Sequence, residues 1–302
     1  MFVKKDLRKI PQILSEGKDA IDTENEENKL EHLRLGRRPH EFQGSVRLLC
    51  QPKYQPALQY LQTLSLYDSQ ISSLEGIGML DCCPQLCSVN VGRNPIREIP
   101  DEIEKLAPSL KELLLDDCAL AGPFPSCLLK LENLEILRMS NNQITTLPAD
   151  ISLLSKLQVL AMDRNQLTRI PSELQDLTEL KTLLLRHNQI RELPDGVPGP
   201  LLLNLTLLHI SSNQLITLPD TFVDCPILTH VYANGNQLKE LPFGMDRLSE
   251  LQRLNLSHNR IDYLPTDFID AYGEPDQESP EGLCVGGKVR TCGTKKQNKK
   301  TT

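Results

Sequence analysis

Leu134-Glu135-Ile136-Leu137-Arg138-Met139-Ser140-Asn141-Asn142 decides the fold of this 302-residue chain. Its frame is L-x-x-L-x-L-x-x-N, and the frame recurs at Leu157 through Asn165, Leu180 through Asn188, Leu205 through Asn213, Leu228 through Asn236 and Leu251 through Asn259. Upstream, Leu86 through Asn94 fits with Val89 and Val91 in the inner slots. Leu61 through Ser69 and Leu110 through Cys118 fit except at the last position. The nine copies begin at 61, 86, 110, 134, 157, 180, 205, 228 and 251, and are called repeats 1 to 9 below. The first half of each alternates with period two, which predicts a short strand. The second half carries an apolar residue at about every third place, as in Leu147-Pro148, Ile151 and Leu154. That spacing predicts a helical or 3-10 turn, with proline tolerated at its start.

A strand with leucines on one face cannot bury them alone, so the copies must stack and share one apolar column. The expected fold class is an α/β solenoid, and its repeat frame resembles that of a leucine-rich-repeat horseshoe. Its parallel sheet lines the concave face and short helical or 3-10 turns form the convex face. Nine parallel strands about 4.8 Å apart make a ladder on the order of 40 Å long. The Asn slot has a structural task, because an inward amide can bond the backbone of successive coils that burial would otherwise leave unsatisfied.

Three segments follow. Residues 58–272 are the solenoid of about nine repeats. Residues 1–57 are expected to cap its open end, partly helical or disordered, since an uncapped solenoid exposes core. Within them Asp19 to Leu35 is charged and reads as a helix, with Ile21, Leu30, Leu33 and Leu35 as contact residues. Residues 273–302 turn polar and basic and are expected to be disordered.

Composition sets limits on function. The net charge is −7, with +2 on residues 1–57, +2 on the tail and −11 on 58–272. An acidic body argues against general nucleic-acid binding, which rests on neutralising phosphates. No apolar run is long enough for a membrane helix, so membrane insertion is not expected. The nine cysteines are scattered and lack zinc-type spacing, which suggests a reducing, cytoplasmic setting, with the nucleus as a second place. No phosphate-cradling glycine loop or nucleophile elbow occurs. No enzyme activity, cofactor or metal is therefore expected. His209 and His230 fall on neighbouring strands, yet no Cys, Asp or Glu joins them to complete a zinc site.

The quoted repeats resemble leucine-rich-repeat proteins, and the 23-residue unit ending in Leu-Pro is similar to the intracellular Ras-suppressor, Shoc2-like and plant Ras-group types. The resemblance covers roughly Leu58 to Tyr272. It implies a non-enzymatic scaffold or regulator in signalling, with a small GTPase or protein phosphatase among the partners it suggests. A substrate-recognition subunit of a ubiquitin ligase or other enzyme complex is the alternative, and self-association stays open.

If the frame leucines point inward, the residues between them face outward and form the expected partner-binding face. These are Leu114 and Asp116 in repeat 3, Ile136 and Arg138 in repeat 4, and Val159, Asp163 and Arg164 in repeat 5. Leu184 and Arg186 follow in repeat 6, Leu207 and His209 in repeat 7, and Tyr232 in repeat 8. Leu114, Ile136, Val159, Leu184, Leu207 and Tyr232 are expected to make an apolar stripe of the sort that partners cover. The sign of charge is expected to change after repeat 3, where arginines replace acids.

Overall fold

The computed structural model describes residues 31–35, 46, 49, 58–272, 283–284 and 290–291, the last two pairs by backbone alone. Packing divides the chain into two compact units. One is built on residues up to 145 together with 153–162, the other on 146–152 together with 163 onward.

The alternating halves of the repeats form three-residue strands, and neighbouring strands pair in parallel. In the first unit they are Thr63–Ser65, Ser88–Asn90, Glu112–Leu114, Ile136–Arg138 and Val159–Ala161. In the second they are Thr182–Leu184, Leu207–His209, His230–Tyr232 and Arg253–Asn255. The middle residue of every strand is buried, from Leu64, Val89 and Leu113 to Val231 and Leu254. Burying one such side chain stabilises by about 1.5–3 kcal/mol, which a three-residue strand obtains only by stacking.

The second halves of repeats 1 to 5, 7 and 8 are 3-10 turns. Pro100, Pro125, Pro171 and Pro219 each precede one in an extended conformation. Their carbonyls accept the first i+3 bonds, from Ile103, Leu128, Leu174 and Phe222 N–H at 3.1, 3.1, 3.3 and 3.0 Å. Proline suits this place because the cap N–H has no partner inside the turn. Repeats 1 and 8 use a left-handed glycine instead, at Gly76 and Gly244 with φ of 91° and 87°, and repeat 6 carries Gly196 at φ 87° without a 3-10 turn. A side chain of the following repeat takes each freed N–H. Glu102 bonds Gly76 N–H, Thr221 Oγ1 bonds Gly196 N–H at 2.8 Å, and Asp267 Oδ2 accepts from Gly244 and Met245 N–H at 2.6 and 2.9 Å.

The Asn slot performs the expected task. Asn94 Nδ2 donates to the carbonyls of Leu66 and Val91 at 2.9 and 2.7 Å, and its Oδ1 accepts from Ser69 and Ile71 N–H at 2.9 Å each. Asn142, Asn213, Asn236 and Asn259 repeat the pattern, each donating to two coils and accepting from a backbone N–H. Cys118 substitutes poorly, with its thiol 3.7 Å from the carbonyls of Val91 and Asp116. One place before this slot, every repeat turns left-handed, at Asp68, Arg93, Asp117, Asn141, Arg164, His187, Ser212, Gly235 and His258. That turn swings the chain out of the strand and aims the next side chain into the core. Eight of the nine residues carry a Cβ, which makes the conformation mildly strained.

Two expectations about the ends change. His32–Arg34 is a strand where a helix was expected, paired with Thr63–Ser65 in the same register as the repeats. Leu33 and Leu35 are 0% and 2% exposed, and Leu30-x-x-Leu33-x-Leu35 repeats the inner frame. A gap of 31 residues before Leu61 hides this copy from a search near the 23-residue period. At the other end, helix Thr266–Tyr272 sets Phe268 into the core. Beyond it Leu283–Cys284 pairs with the strand of repeat 9 and Arg290–Thr291 pairs with Tyr263–Leu264. Backbone pairing thus reaches into a segment expected to be disordered. The remainder of 1–57 and 273–302, with Ile21 and Leu30, lies outside the described residues.

Candidate interaction face

The ladder register sorts the outward side chains into rows. In the first unit one row runs Thr63, Ser88, Glu112, Ile136 and Val159, and the other runs Ser65, Asn90, Leu114, Arg138 and Ala161. In the second unit the rows are Thr182, Leu207, His230, Arg253 and Leu184, His209, Tyr232, Asn255. The six apolar residues therefore do not form one stripe. Ile136 and Val159 adjoin in the first row, while Leu114 lies in the second beside Arg138. Leu184 and Tyr232 share a row with His209 between them, and Leu207 sits in the other row between Thr182 and His230. The division has a simple cause. The frame has two outward places, its third and its fifth, and these select the row: Ile136, Val159 and Leu207 take the third, and Leu114, Leu184 and Tyr232 take the fifth.

Charges on the first unit's face are matched with one another. Asp116, just past its strand, accepts Arg138 Nε at 2.7 Å and the backbone N–H of Ser140 at 2.8 Å. Lys111 Nζ reaches Glu135 at 2.8 Å, and that bond raises the lysine pKa. Arg138 is thus neutralised in place, and the change of sign falls later than the sequence suggests.

The second unit repeats the Asp116 arrangement with one residue changed. Asp163 stands where Asp116 stands in its repeat, and its Oδ1 accepts the N–H of Arg186 at 2.7 Å, as Asp116 accepts that of Ser140. The place held by Arg138 is Leu184 here. Arg186 instead follows one frame leucine later, at the place of Ser140, and it is its backbone N–H that meets the carboxylate. Arg164 lies beside it in the left-handed turn, with its N–H donated to Arg186 O at 2.7 Å. Arg164 and Arg186 are exposed, and neither has an ion-pair partner within 4.0 Å among the described residues.

His209 packs its ring against Tyr232, with centroids 5.1 Å apart and planes tilted by 51°. Burial lowers the His209 pKa, Asp163 opposes that, and Arg186 and His187 add to it. His187 is also lowered, by burial, then by Arg186 and Arg164. His230 Nδ1 lies 2.8 Å from Thr229 Oγ1. Ala161, an outward place by its frame, is buried at 1% exposure and adds nothing to the face. The sequence gives no sign of the Asp116–Arg138 pair, since its members stand 22 residues apart. Among the described residues no group of three His, Cys, Asp or Glu is placed to hold a metal, and no helix is long and apolar enough to cross a membrane.

Comparison with known proteins agrees with the coil geometry. The leucine rich repeat family model matches at 108–167, 132–190 and 178–238, and a second leucine rich repeat model at 250–270. Among solved structures, a leucine-rich-repeat protein of Leptospira interrogans aligns with TM-score 0.67 and 27% identity, over 81% of this chain and 64% of that one. The ectodomain of the Arabidopsis thaliana receptor kinase GASSHO1/SCHENGEN3, in complex with Casparian strip integrity factor 2, aligns with TM-score 0.64 and 28% identity, over 72% of this chain and 27% of that one. The Arabidopsis receptor kinase HAESA, in complex with the peptide hormone IDA and a co-receptor, aligns with TM-score 0.65 and 25% identity, over 79% and 40%. The chain thus spans less than two thirds of each of these structures. No curated protein matches it. Strand ladder, asparagine bonding, turn chemistry and family models agree, and the chain belongs to the leucine-rich-repeat family.

Proposed function

We propose that this chain is a non-enzymatic interaction module that binds a protein partner through its strand face. The second unit's outward rows carry the reading. Leu184, His209 and Tyr232 supply apolar and aromatic area, and the exposed arginines Arg164 and Arg186 flank them. Such a mixture characterises the centres of protein interfaces. One similar plant structure holds a peptide hormone and another holds Casparian strip integrity factor 2, which supports a peptide or protein occupant. The 23-residue Leu-Pro unit favours the Ras-suppressor and Shoc2-like type, and with it a scaffold in cytoplasmic signalling whose partner is a small GTPase or a phosphatase. The six described free cysteines suit a reducing compartment.

The test is crosslinking-assisted pull-down with mass spectrometry, comparing the full chain with a variant in which Arg138, Arg164, Arg186 and Leu184 are changed to Glu or Ala. Partners lost only in the variant support the strand face and name the pathway. Partners retained in both remove the strand face from the reading.

A further inference from the structure

We infer that the strand face of the second unit takes an acidic segment of its protein partner, with carboxylates seated at Arg164 and Arg186 beside His187 and His209. The inference rests on the protein-binding reading above and specifies the chemistry of the occupant. Its first support is charge. The solenoid body as a whole carries −11, yet the outward strand residues of the second unit and their turns hold Arg164, Lys181, Arg186 and Arg253 against Asp163 alone. The first unit's face holds Asp68, Glu112, Asp116, Asp117 and Glu135 against Arg93, Lys111 and Arg138. The basic character is therefore local to one face of an acidic molecule.

The second support is geometric. The first unit shows what a satisfied arginine looks like in this fold, with Arg138 across from Asp116 at 2.7 Å. Asp163 occupies the equivalent place, but its neighbour in the arginine slot is Leu184, and its Oδ1 is bonded by the Arg186 backbone. Arg164, Arg186 and this one committed carboxylate all lie within electrostatic reach of His187, and neither guanidinium pairs with the carboxylate. An incoming carboxylate can be held there in the bidentate way arginine favours. Leu184 and the His209–Tyr232 pair in the same row provide apolar contact beside it.

The histidines make the grip depend on pH. His209 faces Asp163, Arg186 and His187, with Tyr232 and His230 on the adjoining strand. His187 faces Arg186, Arg164 and Asp163. Burial first, and then the neighbouring cations, lower both histidines, and an anion that offsets the arginines favours their protonated forms. Affinity should therefore rise as pH falls through the histidine range, until the ligand's own carboxylates protonate.

The test uses the full chain and fluorescein-labelled peptides of alternating Glu and Leu, Gln and Leu, or Lys and Leu, read by fluorescence anisotropy. The Glu peptide should bind about tenfold or more tighter than the Gln peptide in ~0.15 M salt. Its affinity should rise several-fold between pH ~7.5 and pH ~6. Arg164→Gln/Arg186→Gln should abolish the preference for Glu over Gln, while Lys105→Gln/Lys130→Gln on the turn side, with the same change in net charge, should keep it. Equal affinity for the Glu and Gln peptides, a preference for Lys, or an oligothymidylate that binds as tightly as the Glu peptide each overturns the proposal. The crosslinked pull-down separates the two readings. If Leu184→Glu loses its partners while the peptides bind alike, protein binding stands and the acidic occupant falls. If Leu184→Glu retains every partner, the protein-binding reading itself falls.

Discussion

Asp116 with repeat 4 in the first unit, and Asp163 with repeat 6 in the second, solve the same local problem with different residues. In both, an aspartate past the strand accepts the N–H of the next coil, at 2.8 Å for Asp116 and 2.7 Å for Asp163. In the first unit the adjoining outward place is Arg138, and the charge is closed within the ladder. In the second it is Leu184, and the arginine moves to Arg186, whose backbone N–H meets the carboxylate. One repeat pair is internally complete and the other presents apolar area and cationic groups to the outside. A solenoid can thus keep one backbone plan throughout and still confine its binding chemistry to part of its length.

The largest expected effects test whether the two units share one core plan. Leu137→Ala and Leu208→Ala remove buried members of the same column, and each should cost about 2–5 kcal/mol in urea unfolding. A loss under about 1 kcal/mol at either site would separate the units at the level of their core. Asn142→Ala and Asn213→Ala should follow at about 2–4 kcal/mol, since each strands carbonyls of two coils, those of Leu115 and Met139 in one case and Leu185 and Ile210 in the other. The reverse change, Cys118→Asn, should stabilise the first unit by about 1 kcal/mol, because an amide can make the bonds that the thiol at 3.7 Å makes weakly.

Smaller effects sharpen the contrast between the faces. Asp116→Ala should destabilise by about 1–2 kcal/mol, because Ser140 N–H and Arg138 both lose their acceptor. Leu184→Arg copies the first unit's arrangement onto Asp163, and should add about 0.5 kcal/mol of stability while weakening partner capture. Capture unchanged in that variant would dissolve the distinction between the faces.

Two pH-linked expectations accompany these. His209 and His187 have folded pKa values below the unfolded histidine value, so the unfolded chain binds more protons across that window. Stability should fall as pH drops through about 6.5 and level off below the folded values, and His209→Gln should reduce the slope of unfolding free energy against pH. Burial pushes the thiols of Cys118 and Cys225 up to about 11 and about 12. Both should stay unmodified by iodoacetamide near pH ~8 in the native chain, read by peptide mass spectrometry, and react on unfolding.

The repeat frame made most of the coil readable. The inner leucines, the proline-started turns and the asparagine slot each depend on residues within one repeat, and each stands where the spacing placed it. The strand at His32–Arg34 escaped because its frame precedes Leu61 by 31 residues and Asn is replaced by Arg38. The left-handed glycines at Gly76, Gly196 and Gly244 escaped for another reason, since their partners Glu102, Thr221 and Asp267 lie 23 to 26 residues away. Of the candidate face, the outward residues were legible and their company was not. Leu114, Ile136, Val159, Leu184, Leu207 and Tyr232 read as one stripe, yet the register sets them in different rows. Arg138 and Arg186 read as equivalent cations, yet only Arg138 meets a carboxylate side chain.

The sequence by itself determined the coil, the inward and outward sets, and the capping chemistry, because period, propensity and local hydrogen bonding act over a few residues. Only the tertiary structure decided which outward residues stand side by side, which charges cancel, and where an arginine is left facing out. Those outcomes depend on the register between residues about one repeat apart, where a shift of one place turns an outward side chain to the core face and a shift of two gives it different neighbours.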